Sequence, residues 1–436
     1  QPVLDKKCVG CHDGSIDGRP DFSRGKDIVG LRRNDDYKFT PAYVALMPYV
    51  RRTGPENDYH LQVPYEYHSD TSELVTLLQK GHHNVQLDAE EWDRLITWID
   101  LNVPDHGNWT EHTKSIKPFI KKRMAMRSEF ANITINPESL PPIPAPQPFQ
   151  APNKITLEKA NYISWGFDEK KAAAKQAENN ELVKKIQLDE NVSLDLIKIP
   201  AGEFVAGTKN GASDERPSDL IKIEKPFYMS QFEVTNEQYA AFDPEHDPGV
   251  IAMTNKDMRW RGYTISYPNF PVVRVSYKEA QAFCRWLSEK TGLMVTLPNE
   301  EQWEWACRAG SETPFYYGDK NDNFSYYANL ADKSLQKIAR GNSPAWQPRI
   351  DKVNDDQMIV TSVGRYQPNA WGLYDMIGNV AEWTSSTYDH NGQSGKIVTR
   401  GGSWYDRPYR ATASYKLPYY PHQKVYNVGF RVIINE

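Results

Sequence analysis

PVVRVSYKEAQAFCRWLSEKTG, residues 271 to 292, decides how the larger half of the chain folds. Ala280, Phe283, Cys284 and Leu287 recur at helical spacing and share one face, so the stretch predicts an amphipathic helix against a core. LPNEEQWEWACRAG, 297 to 310, predicts a second helix. Upstream, LDLIKIPAGEFVAGT from Leu194 alternates in polarity and turns at Gly202, which predicts a hairpin. KPFYMSQFEVTNEQYAAF, 225 to 242, predicts a strand running into a helix with Thr235 as its N-cap. The remainder after residue 310 is rich in Gly, Asn and aromatic residues and predicts loops with short strands.

Further upstream the texture differs. WGFDEKKAAAKQAENNELVKKI, 165 to 186, predicts a charged connecting helix. NPESLPPIPAPQPFQAP, 136 to 152, holds seven prolines in 17 residues and predicts an extended linker or a surface strap. TKSIKPFIKKRMAMR, 113 to 127, is basic and reads as a solvated helix face, with a docking patch for an acidic redox partner as the alternative. The expected domains are therefore 1–135, a linker with a connecting helix over 136–193, and 194–436.

LDKKCVGCHDGS, 4 to 15, carries the chemistry of the first domain. Cys8-x-x-Cys11-His12 has no second cysteine pair to complete a zinc site, because the other two cysteines, Cys284 and Cys307, lie 23 residues apart and far away. No βαβ pattern surrounds it, which argues against a thioredoxin-like pair. The remaining reading is c-type haem: two thioethers from Cys8 and Cys11, with His12 as proximal iron ligand. Seven of the ten histidines lie in the first 112 residues, namely His12, His60, His68, His82, His83, His106 and His112. TSELVTLLQKGHH, 71 to 83, predicts a short helix with Leu74, Leu77 and Leu78 on one face, ended by a left-handed Gly81. The turn then offers His82 as second axial ligand, and an extended exit from the turn would alternate side chains and point His83 to the opposite side. His83 and Met47 are the alternatives, with Met47 also readable as core filler. His60 and His68 read as surface or hydrogen-bonded loop residues. DAEEWDRLITWIDL opens with Asp88 and Glu91 as a capping box and carries the stripe Trp92, Leu95, Ile96, Ile99.

Composition bounds the function classes. With 436 residues, net charge -5 and pI about 6.1, nothing favours nucleic acid, and no run of 18 apolar residues predicts a membrane span. Covalent haem attachment normally occurs outside the cytoplasm, so the motif predicts a periplasmic or otherwise exported bacterial protein. The start at Gln1 reads as a mature or truncated one, with a leader or upstream domain removed.

Two resemblances extend this reading. CVGCHDG, DGRPDF, ALMPYVRRTGPE, YEYHSDTSELVTLLQKGHHNVQLD and EEWDRLITWIDLNVPDHGNW resemble a haem-bearing domain of the hydrazine synthase alpha subunit type, over about residues 1 to 112. With a single CxxCH, the role this implies is electron transfer. IPAGEF, FEVTNEQY, PVVRVSYKEAQAFCRWLSEKTG, LPNEEQWEWACRAG, WGLYDMIGNVAEWT, RGGSW and GFRV resemble the formylglycine-generating (sulfatase-modifying factor) family, over about residues 194 to 434. That resemblance implies an irregular α+β domain related to C-type lectin domains, beside a mainly α cytochrome-like first domain.

It also implies tests of activity. Oxidase members need two cysteines in the stretch after GGS to bind copper. This chain has RGGSWYDRPYRATASYKLPYYPHQ there and no cysteine after Cys307, and thiolate is the soft ligand that selects Cu(I). Iron-dependent members draw histidines from a separate helical domain, in a pattern absent here. Cys284 matches a position that normally bridges to a C-terminal cysteine. Here Cys284 and Cys307 read as buried small apolar residues, with a mutual disulfide as the alternative. The resemblance places calcium at Asn379, Glu382, Asn329 and Asp332, whose oxygen donors suit Ca²⁺; capping of turns is the alternative for the asparagines. It places Arg400, Trp404 and Arg410 along a substrate groove. The combined expectation is a monohaem c-type cytochrome that passes electrons with a redox partner protein, fused to a catalytically silent module that binds a partner, a glycan or a neighbouring subunit. A redox enzyme using the groove and a structural subunit of a larger complex are the alternatives.

Overall fold

A computed structural model of the chain describes residues 1–23, 29–30, 38–51, 69–105, 117–136, 139, 165–178, 181–209, 211–215, 220–251, 262–339 and 348–435. His60, His68, His106, His112 and almost all of the proline-rich segment lie outside these residues.

The N-terminal part is partly helical. It comprises α1 (Pro2–Lys7), the short pair β1 (Val29–Gly30) and β2 (Lys38–Phe39), then α2 (Pro41–Leu46), α3 (Glu73–Gln79), α4 (Ala89–Asp100) and α5 (Lys117–Ala131). Local chemistry sets the boundaries. Thr40 caps α2 by accepting from the Tyr43 amide, and Pro41 opens it. Asp88 and Glu91 form the expected capping box of α4. α3 stops before Gly81, which sits at φ +88 in the left-handed region. Phe22, Leu46, Met47, Val75, Leu95 and Ile99 close a small core, with Trp92 and Ile96 packed at its edge. Met47 is only 1% exposed and sits among these apolar residues, as core filler does. The described side chains of the basic helix α5 are largely exposed.

The C-terminal part follows as α6 (Glu169–Ala177), β3 (Val183–Gln187), β4 (Ser193–Ile199), β5 (Gly202–Val205), β6 (Leu220–Ile223), β7 (Phe227–Ser230), α7 (Asn236–Ala240), β8 (Val250–Ile251), β9 (Tyr263–Thr264), α8 (Tyr277–Thr291), β10 (Val295–Thr296), α9 (Glu300–Arg308), β11 (Ala381–His390), β12 (Gln393–Arg400), β13 (Leu417–Tyr419), β14 (Val428–Gly429) and β15 (Ile433–Asn435). The five-stranded antiparallel sheet runs β10-β15-β7-β4-β3. Both faces are covered, and the alternation of side chains divides them cleanly. Leu194, Leu196, Tyr228 and Ile434 face one apolar core with Ala280, Phe283, Cys284 and Leu287 of α8. Ile197, Ile199, Phe227, Met229 and Ile433 face the other with Trp303, Trp305, Ala306 and Cys307 of α9. The four-stranded sheet runs β13-β12-β11-β14 and is built on the long β11–β12 hairpin. Asn391-Gly392, both at positive φ, turn that hairpin.

Two expectations need correction. The connecting helix ends at Ala177, and Val183–Gln187 is instead an edge strand paired to β4. Once a sheet edge is available, the segment pairs along β4 and buries Ile186 in the core while Val183 stays exposed, whereas a helix there would have no core to face. The hairpin expected at Gly202 does not form, because β4 pairs with β3 and β7 whereas β5 pairs with β6. Gly202 serves a close approach instead: a Cβ there would meet the Trp305 ring at 2.7 Å.

Candidate functional site

α1 delivers the CxxCH segment. Cys8 ends the helix with its amide bonded to the Leu4 carbonyl. The chain then curls tightly, so that the Cys11 and His12 amides both donate to the Cys8 carbonyl, at 3.0 and 3.1 Å. This turn brings both thiols and one imidazole to the same edge of the N-terminal core. Cys8 packs partly against that core and Cys11 is exposed; both are free thiols. Burial pushes the Cys8 thiol up to about 11.

The loop after His12 returns to hold it. Phe22 donates its amide to the His12 carbonyl at 2.8 Å and lies 4.9 Å from the imidazole, centroid to centroid. His12 Nδ1 lies 3.1 Å from the Pro20 carbonyl oxygen. A carbonyl can only accept, so Nδ1 carries the proton and Nε2 is left with its lone pair. A backbone acceptor on one ring nitrogen orients a histidine so that the other can bind a metal.

The turn after α3 brings in the second imidazole. The His82 ring lies 6.1 Å from that of His12, centroid to centroid, with 30° between the planes. His82 is partly buried, and burial, aided by His83 and His12, pushes it down to about 4. His83 does not leave on an extended strand as the alternation argument requires. Residues His82–Asn84 form a 3-10 turn with His83 at φ 44, and its exposed ring packs edge-on against His82 at 4.5 Å. Cys8, Cys11, His12 and His82 are thus brought together, His83 adjoins them, and Met47 lies within the core.

The oxygen-bearing set in the C-terminal part is arranged differently. Asn379 donates to Glu233 at 2.9 Å and accepts from the Thr361 amide and from Asn329. Glu382 holds Arg431 through both oxygens, at 2.7 and 2.8 Å, and accepts from the Trp303 indole at 2.6 Å. Asp332 accepts from the amides of Ser334 and Asp355. Asn329 Oδ1 is buried with no hydrogen-bond partner. Among the described residues no three His, Cys, Asp or Glu side chains converge as a metal site.

The expected groove residues do not line an open surface. Arg400 is fully buried and pairs with Glu304, while Trp404 is 1% exposed within an apolar cluster. Arg410 reaches Glu73 of the N-terminal part at 3.3 Å, and Arg407 reaches the same carboxylate at 2.7 Å. At the other end of α3, Lys80 pairs with Asp214 at 2.7 Å. Single-sequence reading missed this interface. Its partners are more than 130 positions apart in the chain, and neither Lys80 nor Asp214 belongs to a recognisable motif.

Cys284 and Cys307 are buried on opposite faces of the five-stranded sheet, in separate cores, and both are free. Burial pushes each thiol up to about 12. They are small apolar core residues, and the mutual disulfide is excluded by the sheet between them. Among the described residues no helix is long and apolar enough to cross a membrane.

The C-terminal part is thus an irregular α+β domain: a five-stranded and a four-stranded sheet, two further strand pairs, helices α8 and α9 on opposite faces of the first sheet, and long loops. The chain belongs to the sulfatase-modifying factor enzyme 1-like domain family, whose match spans residues 183–436. That match starts at β3, earlier than the expected boundary at residue 194. The inactive C-alpha-formylglycine-generating enzyme 2 of Bos taurus is 28% identical over 292 residues, covering 56% of this chain and 90% of that protein. The formylglycine-generating enzyme of Streptomyces coelicolor is 27% identical over 297 residues, covering 54% and 87%. The structure of PvdO from Pseudomonas aeruginosa aligns at 23% identity with a TM-score of 0.46, over 58% of this chain and 98% of that one.

Proposed function

We propose that this is an exported electron-transfer protein. One haem is attached covalently through Cys8 and Cys11, with His12 and His82 as axial ligands, and the C-terminal module is a catalytically silent binding and assembly part. The observation that carries the reading is the His12–His82 pair beside the two free thiols. Two imidazoles on opposite sides of one metal, each nitrogen about 2 Å away, have centroids about 6 Å apart. Plain ring packing covers the same range. What favours ligation is the Pro20 carbonyl, which fixes His12 as the tautomer with Nε2 open. Haem at this position supplies one-electron redox chemistry. Of the chain's own residues, Phe22 and the N-terminal core shield one side of His12, while Cys11 stays at the surface, where a redox partner reaches it.

Three observations support silence of the second module. No cysteine follows Cys307, the two module cysteines are buried with raised thiol pKa values, and a relative covering most of its own length is named inactive. Acid-acetone extraction followed by mass measurement tests the haem assignment: the haem stays on the chain and adds one haem mass. Free extraction would remove the assignment. The orphan Asn329 Oδ1 supports Ca²⁺ there, and a melting temperature that EDTA leaves unchanged would remove that expectation.

A further inference from the structure

The turn that carries His82 touches both parts of the chain. Lys80, the last residue before Gly81, is buried to 2% exposure. Its ammonium lies 2.7 Å from Asp214 and 4.1 Å from the centre of the Tyr415 ring. Asp214 is equally buried, and Tyr388 donates to it at 3.0 Å. The Lys80 carbonyl accepts a hydrogen bond from Ser213, whose hydroxyl also lies 2.8 Å from His390 Nε2. Asn391, at the tip of the β11–β12 hairpin, donates to the Gln79 carbonyl at 3.1 Å. The last two carbonyls before Gly81, free of helix partners as at any helix end, are therefore bonded by the C-terminal module. A Cβ on Gly81 would lie 3.5 Å from both Asn391 and Ser213.

We propose that the C-terminal module is the clamp that positions His82: Asp214 and Ser213, backed by Tyr388, hold the end of α3 so that the Gly81 turn faces His82 toward His12. This rests on the haem reading above and gives the silent module a task within its own chain. His82 is then a ligand only while the two parts are docked, and separation frees that coordination position. Asp214, Ser213 and Tyr388 are positioning residues, since none touches the imidazole.

The two ends of α3 allow a clean test. Glu73 at its start is held by Arg407 and Arg410, far along the helix from His82. Ferric optical and electron paramagnetic resonance spectra of the full-length holoprotein would be compared for wild type, Asp214→Asn, Tyr388→Phe and Arg407→Gln, each checked for one covalent haem by mass. A hydrogen bond to a charged group contributes enough that losing it changes such a local equilibrium about tenfold. Asp214→Asn should raise the ratio of high-spin to low-spin iron by that order and speed cyanide binding. Tyr388→Phe should do so less, while remaining folded by circular dichroism. Arg407→Gln should leave the spin state unchanged. Equal spectra for all four proteins, or equal changes in Asp214→Asn and Arg407→Gln, would overturn the clamp while leaving the haem reading standing. Absence of covalent haem in the wild type would overturn both.

Discussion

The Lys80 ammonium and the Asp214 carboxylate lie 2.7 Å apart, each side chain 2% exposed, and they come from the two different parts of the chain. Burial first, helped by the Arg410 charge, pulls Lys80 below its ordinary value against the attraction of Asp214 and Glu215. It also pushes Asp214 up, but Lys80 and Tyr388 outweigh it, and the carboxyl ends below its ordinary range. Such a pair adds little relative to apolar residues of the same volume, yet breaking it strands a buried charge. Asp214→Ala should therefore cost about 3–5 kcal/mol in denaturant unfolding, whereas Lys80→Met with Asp214→Leu should cost far less. Equal losses would mean that the pair itself, rather than the stranded charge, sets the stability.

A second buried pair lies inside the module. Arg431 and Glu382, at 0% and 1% exposure, form a two-point bond that also takes in the Trp303 indole, and so tie β11 to α9 and to the entry of β15. Glu382→Ala should destabilise by about 3–5 kcal/mol, through the stranded guanidinium. Glu382→Gln, which keeps an acceptor for Trp303, should cost less. A melting series of the two variants checks the order.

Asp375 gives a pH dependence. Its carboxyl is pushed up to about 6, by burial first and then by the Glu382 charge, with Oδ1 buried and unpartnered. A folded-state value raised above the unfolded one means that the folded state holds the proton more tightly. The stability this contributes is full below about pH 4 and is lost as pH rises through about 6, a difference of up to about 3 kcal/mol. Melting temperature should fall between pH 5 and 7.5, and Asp375→Asn should flatten that slope while keeping the Gly364 amide bonded. A slope unchanged in the variant would assign the effect elsewhere.

Incubation with copper and a Cys-x-Pro-x-Arg peptide should leave the peptide thiol intact. The chain has no thiol after Cys307, and Cys284 and Cys307 are shut in separate cores. Conversion to the aldehyde would overturn the reading of the module as silent.

What could be read from the chain was local. α8 and its face, the Thr235 cap, the Asp88–Glu91 box and the Gly81 stop all follow from neighbours within a few residues, and all four form. Pairing was not legible. Alternation in 194–205 signals strands but not partners: it reads as one hairpin, whereas β4 pairs with β3 and β7, β5 pairs with β6, and Gly202, where β5 begins, packs against Trp305. Asn391-Gly392, a strong local hairpin signal, went unused within the loop-rich remainder. The CxxCH spacing singles out Cys8, Cys11 and His12, the residues of the proposed haem attachment. The Gly81 stop forms as the spacing predicts, but a tight turn takes the place of an extended exit for His83. The Lys80–Asp214 clamp depends on two parts of the chain meeting, which no local pattern encodes.

The central claim is that His12 and His82 bind the iron of one haem attached covalently through Cys8 and Cys11. The most direct measurement is the ferric optical spectrum of the purified full-length protein, wild type beside His82→Ala, His83→Ala and Met47→Ala. The account predicts a low-spin spectrum in the wild type and in the last two variants, and a high-spin, ligand-binding spectrum in His82→Ala. A wild type with no haem absorption, or a His82→Ala protein that stays low-spin while Met47→Ala does not, would contradict it.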